Sequence, residues 1–281
     1  MKIGVFGLGI IGSIWAENLR QDGHDVLGWN RTPKPLSWYR SSAREVARDA
    51  EVIFIVVADP PAVQNVLDQI LPVLHAGQLV IQSSTISPKA TREFATQVQK
   101  TGAGFLEAPF TGSKPAAEKR QTVFYLGGDA AVVEQARPVL ERLSSTRVHI
   151  GPLGTASTLK LAMNLNLANM AQALCESLAL ARAAGISDDT YFKALANNVG
   201  RSGLSDFKEP KLRQADYSPQ FSLKHMGKDL RLAVETAAEY SLTLGQTEHL
   251  KTEYEDGIAA GWQDDDFIGL MRLLEKRKGR S

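Results

Sequence analysis

The sequence predicts a two-domain protein in which a doubly wound parallel α/β sheet precedes an all-α domain that begins with a long helix. Short β-branched runs alternate with helical patterns over roughly the first half, and no convincing strand follows residue 155. Two glycines and a proline interrupt the pattern in residues 151–154. A chain of 281 residues is long enough for about two domains. We therefore predict domains at residues 1–153 and 154–281.

The predicted strands of the first domain are mostly apolar throughout, as expected of parallel strands buried on both faces. They cover residues 3–6, 25–29, 52–57, 79–82, 104–106, 122–126 and 148–150. The helical patterns between them cover residues 11–21, 43–48, 62–71, 89–101 and 130–143. Strand and helix in alternation indicate a sheet covered by helices on both faces.

Apolar residues three or four apart predict one long helix that begins near Thr155 and runs to about Ala184. Further helical patterns cover residues 189–197, 223–240, 244–260 and 267–276. One aspartate of residues 264–266 is expected to cap the last of these helices. The long helix is richer in alanine and leucine than one core-facing stripe requires, which predicts a homodimer or homotetramer.

Composition argues against several functional classes. Thirty-two basic and 31 acidic side chains give a net charge of +1, unlike a nucleic-acid-binding surface. No apolar run reaches the roughly 20 residues that span a bilayer, and the first residues do not resemble a signal peptide. With a single cysteine, we expect a cytoplasmic protein. The five histidines show no metal-ligand spacing, so no metal site is expected.

The motif Gly7-Leu8-Gly9-Ile10-Ile11-Gly12 follows the first strand and opens a helix. In this setting the first glycine permits a tight turn, the second lets a pyrophosphate approach, and the third lets helix and strand pack closely. The free amides at the helix start then face the phosphates. The motif predicts a Rossmann-type dinucleotide site.

The end of the second strand indicates which dinucleotide binds. Enzymes that use NAD place a carboxylate there to bind the ribose 2′-hydroxyl, but this chain has Asn30-Arg31-Thr32. A carboxylate would repel a 2′-phosphate, whereas Arg31 can form two hydrogen bonds with it. We therefore predict NADP(H), with Asn30 and Thr32 as additional polar donors.

Lys160 and Asn164 are four residues apart in the predicted long helix, so their side chains leave the same helical face. A lysine there can give a proton to a carbonyl oxygen while hydride reaches the carbon, and an asparagine amide can orient the reacting groups. A lysine near a helix start is also commonly just a solvated residue. The residues alone leave both interpretations open.

Three motifs in order make the chain similar to the β-hydroxyacid dehydrogenase family: the glycine motif, Ala-Pro-Phe-Thr-Gly at residues 108–112, and the block at residues 151–164. The resemblance runs from residue 1 to 276 and implies an NADP-dependent oxidoreductase with Lys160 and Asn164 as catalytic residues. The cofactor-binding residues it implies are Gly7, Leu8, Gly9, Ile10, Ile11, Gly12, Asn30, Arg31, Thr32, Val57, Ala58, Thr85 and Lys228. The substrate-binding residues it implies are Thr111, Gly112, Ser113, Phe221 and Asp229.

Within this family, the Gly-Ser-Lys loop at residues 112–114 and the Asn-Arg-Thr strand end resemble the NADPH-dependent glyoxylate and succinic semialdehyde reductases. Alternatives are a 3-hydroxyisobutyrate or other β-hydroxyacid dehydrogenase, a tartronate semialdehyde reductase, an imine reductase, and a non-catalytic NADPH-binding scaffold. The presence of Lys160 counts against the last two. The chain departs from the family pattern at Thr111, where serine is usual, and at Lys119-Arg120, which replaces an acidic residue and a glycine.

Overall fold

The computed structural model describes residues 1–278 and divides into two compact units, Met1–Lys160 and a second that begins at Leu161. The sequence placed the domain boundary after residue 153, whereas the packing divides the chain after Lys160, inside one continuous helix. Residues 279–281 of the predicted second domain lie outside the described residues.

The described part of the first unit contains one eight-stranded sheet. Its strands are β1 Lys2–Phe6, β2 Asp25–Trp29, β3 Val52–Ile55, β4 Leu79–Gln82, β5 Gly104–Glu107, β6 Phe110–Thr111, β7 Thr122–Gly127 and β8 Ser144–Gly151. The order is β2-β1-β3-β4-β5-β7-β6, with β8 paired to β7. Strands β1 to β5 pair in parallel, and β7 is antiparallel to β5. The predicted doubly wound parallel sheet is thus confirmed, with an antiparallel extension at one edge.

Helices cover both faces of this sheet. They are α1 Ile10–Gln21, α2 Ala43–Arg48, α3 Pro60–Ile70, α4 Pro88–Gln99, α5 Lys114–Glu118 and α6 Ala130–Leu140. Successive residues of β3 enter different apolar clusters: Phe54 packs with Trp15 on one face, and Ile53 packs with Phe105 on the other. This alternation is the period of two expected of a strand buried on both sides.

The helices of this unit start at recognisable signals. Ser42, Asp59 and Ser87 each precede a helix, and each side chain accepts a hydrogen bond from a backbone N–H of the first turn. Helices α3 and α4 also have proline in the first turn, where its missing N–H is not needed.

The second unit is helical. Its elements are α7 Thr155–Ala183, which begins in the first unit, then α8 Asp188–Ala196, α9 Gly203–Gln214, α10 Leu223–Glu239, α11 Gly245–Ala259 and α12 Met271–Lys278. A 3-10 turn, Phe267–Leu270, precedes α12 where one helix was predicted. The Asp266 carboxylate accepts a hydrogen bond from Ile268 N, so the predicted aspartate cap is confirmed. Helix α9 was not predicted.

The core of this unit contains the one cysteine of the chain. Cys175 is fully buried on α7 among apolar residues that include Leu178 and Leu230. Burial raises the pKa of its thiol to about 12. Across the described residues, every helix is too short or too polar to traverse a bilayer.

Candidate active site

The glycine loop joins β1 to α1 and has the shape that a dinucleotide phosphate requires. Gly7 has a φ of +102°, and a Cβ built there would lie 2.2 Å from the carbonyl oxygen of Val56. A Cβ on Gly12 would lie 1.9 Å from the carbonyl oxygen of Gly7, so the helix start can pack this closely only with glycine. Around Gly9, by contrast, a Cβ would meet no atom within 4 Å.

The start of α1 is also open to an anion. Gly9 is the N-cap residue and provides no side-chain cap for the first turn, and Ile10 beside it is exposed. Uncapped N–H groups at a helix N-terminus bind phosphate well because the helix dipole also favours negative charge there. The glycine loop therefore fits the pyrophosphate of a nicotinamide dinucleotide.

Asn30, at the end of β2, holds the glycine loop in place. Its Oδ1 accepts a hydrogen bond of 2.9 Å from Leu8 N, and its Nδ2 donates one of 2.8 Å to the carbonyl oxygen of Thr32. Both ends of the Asn30 amide are thus engaged with the backbone. Arg31 next to it is exposed, and its guanidinium makes no hydrogen bond to any of residues 1–278. The positive charge at this strand end is available for a ligand.

The carboxyl ends of β3 and β4 are joined by the side chain of Ser84. Its hydroxyl accepts a hydrogen bond of 2.8 Å from Val57 N, and the side-chain amide of Gln82 bonds both backbone groups of Ser84. These bonds fix the two segments that carry the predicted cofactor residues. Val57 and Thr85 are half-buried there, and Ala58 is exposed.

The predicted substrate loop follows a two-residue strand. Thr111 pairs with Val123 of β7, and Gly112 then turns the chain with a φ of +113°. A Cβ on Gly112 would also lie 2.9 Å from the Ala116 Cβ, so this turn needs glycine for two reasons. Thr111, Gly112 and Ser113 are all half-buried and come from consecutive positions. The loop offers two hydroxyl groups and backbone amides in a short span.

Lys160 lies in the second turn of α7 and is only 8% exposed. Ser157, three residues earlier, has its hydroxyl oxygen 2.9 Å from the hydroxyl oxygen of Thr91. Asn164 follows Lys160 by one helical turn on the same continuous helix and is also buried. A buried lysine is unusual in proteins, which distinguishes Lys160 from an ordinary solvated residue of a helix.

In the second unit, Asn164 is held by a buried carboxylate. Asn164 Nδ2 donates a hydrogen bond of 2.6 Å to Asp229 Oδ2, and Lys228 Nζ lies 2.9 Å from Asp229 Oδ1. Asp229 is 2% exposed. The sequence motif indicated substrate contact for Asp229; the structure shows that both of its oxygens face protein groups, one of them the predicted catalytic asparagine.

Phe221 precedes α10 and forms part of a small aromatic group. Its ring stacks on His225 with centroids 5.9 Å apart, and it contacts Phe267 edge-on. The Nδ1 atom of His225 lies 2.6 Å from the hydroxyl oxygen of Ser222. Burial lowers the pKa of His225, and the positive charges of Lys228 and Lys224 lower it further.

Comparison with known protein families shows to which family the chain belongs. The first unit matches the family described as the NAD-binding domain of 6-phosphogluconate dehydrogenase over residues 2–151. Residues 154–274 match the NAD-binding region of NADP-dependent 3-hydroxyisobutyrate dehydrogenase. The chain belongs to the β-hydroxyacid dehydrogenase family. It is an enzyme of the NAD(P)-dependent oxidoreductase class that acts on hydroxyacids or their aldehydes.

Individual members of the β-hydroxyacid dehydrogenase family match over nearly the whole chain. Glyoxylate/succinic semialdehyde reductase 2 of Arabidopsis thaliana is 29% identical over 100% of this chain and 81% of its own length. The 2-hydroxy-3-oxopropionate reductase of Escherichia coli is 30% identical over 98% of this chain and 97% of its own. The structure of Mycobacterium tuberculosis 3-hydroxyisobutyrate dehydrogenase with L-serine has a TM-score of 0.88 at 28% identity, covering 97% and 98% of the two chains.

The hydrogen bonds of two residues in this β-hydroxyacid dehydrogenase site could not be predicted from the sequence alone. Ser84 bonds a residue 27 positions away, and Asp229 bonds one 65 positions away. Neither contact leaves a local pattern; the only signal was the family motif in which each residue lies. Within residues 1–278, no group of three histidine, cysteine, aspartate or glutamate side chains could hold a metal ion.

Proposed function

We propose that the protein is an NADPH-dependent reductase of small aldehyde acids that converts glyoxylate to glycolate and succinic semialdehyde to 4-hydroxybutyrate. The observation that carries this proposal is the buried Lys160, placed one helical turn before Asn164 on α7. Burying an amine requires compensating interactions, and Lys160 also stands at the position where the resemblance to the family implies a catalytic lysine.

Lys160 acts as the general acid in this proposal. When bound, the nicotinamide supplies the hydride that reaches the aldehyde carbon. Lys160 gives a proton from Nζ to the aldehyde oxygen, so the C=O double bond becomes a C–O single bond, one C–H and one O–H bond form, and the product is a hydroxyacid. Asn164, held by Asp229, orients the groups beside this lysine through its amide.

The cofactor preference rests on the end of β2. Asn30 is occupied with backbone contacts, so Arg31 is the group available for a 2′-phosphate. An arginine binds a phosphate through two parallel hydrogen bonds, and no acidic residue stands beside it at positions 30–32 to bind a ribose diol instead. These features support NADPH over NADH.

The substrate carboxylate is expected at the loop of Thr111, Gly112 and Ser113. This loop offers hydroxyl and amide donors, which are the groups that bind a carboxylate. The resemblance to the family also implies Phe221 as a substrate contact. The Arabidopsis reductase is named for glyoxylate and succinic semialdehyde, and its similarity over the whole of this chain supports that substrate class.

A second candidate is the reduction of 2-hydroxy-3-oxopropionate, which is also called tartronate semialdehyde. The Escherichia coli reductase named for this substrate is 30% identical and matches along almost its full length. The two proposals share the cofactor, the general acid and the carboxylate loop. They differ only in the carbon chain that the pocket accepts.

Absorbance at 340 nm tests the proposal directly. Purified enzyme is supplied with NADPH or NADH and with glyoxylate, succinic semialdehyde or 2-hydroxy-3-oxopropionate, and oxidation of 3-hydroxyisobutyrate is followed in the reverse direction. We expect the highest kcat/KM with NADPH and glyoxylate or succinic semialdehyde. The highest value for 2-hydroxy-3-oxopropionate favours the second candidate, and NADPH binding without turnover of any substrate indicates a scaffold.

A further inference from the structure

Glu107, the last residue of β5, is a fully buried carboxylate at the start of α7. Its Oε1 accepts hydrogen bonds from Gly154 N at 2.7 Å and Ala156 N at 3.0 Å. Its Oε2 accepts one from the Ser157 hydroxyl at 2.7 Å and one from Ser157 N at 3.3 Å. One side chain therefore binds four donors on the first turn of the helix that carries Lys160.

Three of these donors are backbone N–H groups of the kind that a helix start leaves without partners. The first N–H groups of an α-helix have no carbonyl oxygen to bind, and the residue before the helix usually caps them with its side chain. Here that residue is Gly154, which has no side chain and a φ of +97°. Glu107 supplies the cap from 47 positions earlier in the sequence. Its negative charge also stands at the positive end of the helix dipole.

The sheet makes room for this carboxylate. Gly127 on β7 pairs with Glu107, and a Cβ built on Gly127 would lie 1.9 Å from the Glu107 Oε1. Burial raises the pKa of Glu107, and the hydrogen bonds from Ser157, Ala156 and Gly154 oppose that shift. A buried charge at this position lowers stability relative to an apolar side chain unless its hydrogen bonds compensate. Strands β5 and β7 thus leave space for the Glu107 carboxylate, whose hydrogen bonds are with the start of α7.

We infer that Glu107 is a positioning residue for Lys160: it fixes the first turn of α7 and thereby the direction of the lysine side chain. The inference rests on the proposed function, in which Lys160 is the general acid. Lys160 is only three residues beyond Ser157, so the last anchored residue lies less than one turn from the amine-bearing residue. Fraying of this turn would release the helix up to the position from which Lys160 projects.

Glu107→Gln is the sharpest variant because it keeps the shape of the side chain. The amide has one acceptor oxygen, and its NH2 group then opposes N–H donors of α7. We expect kcat with NADPH and glyoxylate to fall by roughly 10- to 100-fold, the scale of a misplaced catalytic group. The dissociation constant of NADPH and the far-ultraviolet circular dichroism should stay at wild-type values.

Two further variants control this result. Gly127→Ala keeps the carboxylate of Glu107 but places a Cβ where that carboxylate lies, so Glu107 must move away from α7. We expect the same loss of kcat as in Glu107→Gln. Glu51→Gln removes an exposed carboxylate that accepts a hydrogen bond from Lys2 N, and we expect wild-type kcat. Amide hydrogen exchange at residues 155–158 gives a readout that is independent of turnover, and it should accelerate in Glu107→Gln.

The double variant Glu107→Gln/Lys160→Met separates positioning from general support of the fold. If Glu107 acts through Lys160, adding Glu107→Gln to Lys160→Met causes no further loss of kcat. Either of two results overturns this inference and leaves the proposed function standing. In the first, Glu107→Gln lowers kcat by the same factor in the Lys160→Met background as in the wild type. In the second, Glu107→Gln changes neither kcat nor amide hydrogen exchange. Wild-type kcat in Lys160→Met is a different result, because it overturns the general-acid role of Lys160 in the proposed function and removes the role of Glu107 with it.

Discussion

At the end of β2, two neighbouring residues have different roles. Asn30 binds the backbone of the glycine loop, whereas the exposed Arg31 guanidinium makes no hydrogen bond within residues 1–278. Replacing Arg31 therefore changes the charge that faces a ligand and leaves the contacts of the loop intact. Cofactor preference and loop geometry can be tested separately at adjacent positions.

Arg31→Ala should weaken NADPH binding by about 1.5–3 kcal/mol, the scale of hydrogen bonds to a charged group. NADH lacks the 2′-phosphate, so its affinity should change little. Fluorescence titration with both cofactors measures the two dissociation constants. Arg48→Ala, at an exposed arginine of α2, serves as the matched control and should leave both unchanged. Equal losses for NADPH and NADH in Arg31→Ala would contradict the assignment.

Lys160→Met should lower kcat by about 10²- to 10⁴-fold, because methionine keeps an unbranched stem of similar length but has no proton to give. Lys160→Arg should restore little activity, since a guanidinium remains protonated near neutral pH. Asn164→Ala should have a smaller effect, because it removes an orienting amide and leaves the acid. The measurement is kcat with glyoxylate and succinic semialdehyde, with NADPH affinity determined separately.

The control for this series is Lys100→Met, which removes an exposed lysine of the same unit. If Lys160→Met keeps more than about a tenth of wild-type kcat, and chemistry is shown to be rate-limiting, then Lys160 is not the general acid.

The sequence predicts site residues where the proposed chemistry is local. Gly7, Gly9 and Gly12 are predicted from their spacing along one turn, and Arg31 from its place at a strand end. No role was predicted for Glu107, because its partners lie 47 to 50 positions away and nothing in a run of residues shows which strand end meets which helix start. Long-range polar contacts become readable only when the sheet order is known.

Among the elements, the turn between α5 and β7 shows how a departure from the family pattern is accommodated. Arg120 stands in the left-handed region with a φ of 57°, where glycine is favoured. Its guanidinium bonds Asp22 Oδ2 at 2.6 Å and the carbonyl oxygens of Arg142 and Asn18, each at 3.0 Å. The turn is thereby tied to the end of α1, the helix that opens at the glycine loop.

Arg120→Ala should lower the free energy of unfolding by about 1–2 kcal/mol, because it loses these hydrogen bonds and keeps the strained backbone. Arg120→Gly loses the same bonds but relieves the strain, so it should be less destabilising than alanine by about 1 kcal/mol. Urea denaturation of both variants measures the difference. Equal stability of the two variants would show that the backbone conformation at position 120 carries no strain.

Most elements were predictable because period and boundary signals agreed. Strand β3 ended at Ile55, two residues earlier than predicted, since the valines that follow enter the loop beside Ser84. Helix α9 was missed because Pro210 lies inside it and its composition is polar. A reciprocal cap between Ser202 and Ser205 starts that helix, and the buried Lys208 forms an ion pair of 2.7 Å with Asp266. Tertiary contacts of this kind stabilise a segment whose own pattern is weak.

At the scale of the whole molecule, the half-buried His225 makes the free energy of unfolding depend on pH. Burial is the main cause of its lowered pKa, followed by Lys228 and Lys224, and Asp229 and Asp264 oppose the shift. Unfolded histidine has a pKa near 6.5, so as pH falls below that value the unfolded chain binds a proton before the folded protein does. The contribution of His225 to the free energy of unfolding should therefore decrease below about pH 6.5 and level off below its folded-state pKa.

His225→Gln should show a smaller decrease over this range. Urea unfolding of wild type and variant between pH 5 and 8 measures it, with the values near pH 8, where unfolded histidine is neutral, as the internal reference. An identical pH dependence in both proteins would mean that His225 titrates alike in the folded and unfolded states.

Exposed apolar side chains on helix α7 predict that the protein forms an oligomer. Leu180 on this helix is 72% exposed and Met163 is 38% exposed, although the helix is rich in apolar residues. We expect these side chains to pack on another subunit in a homodimer or homotetramer. Sedimentation velocity at micromolar concentration should give a mass at least twice 30.6 kDa. A single species of monomer mass would contradict this expectation.

The burial of Cys175 makes the protein convenient for thiol-directed labelling. A maleimide reacts with an accessible thiolate, and this sulfur is fully enclosed and, with a pKa of about 12, protonated at neutral pH. Since the chain has no other cysteine, the native protein should provide a silent background. A cysteine introduced on an exposed position of α7 could then carry a single fluorophore or spin label without prior removal of Cys175. The motion of the helix that bears Lys160 thereby becomes open to spectroscopy.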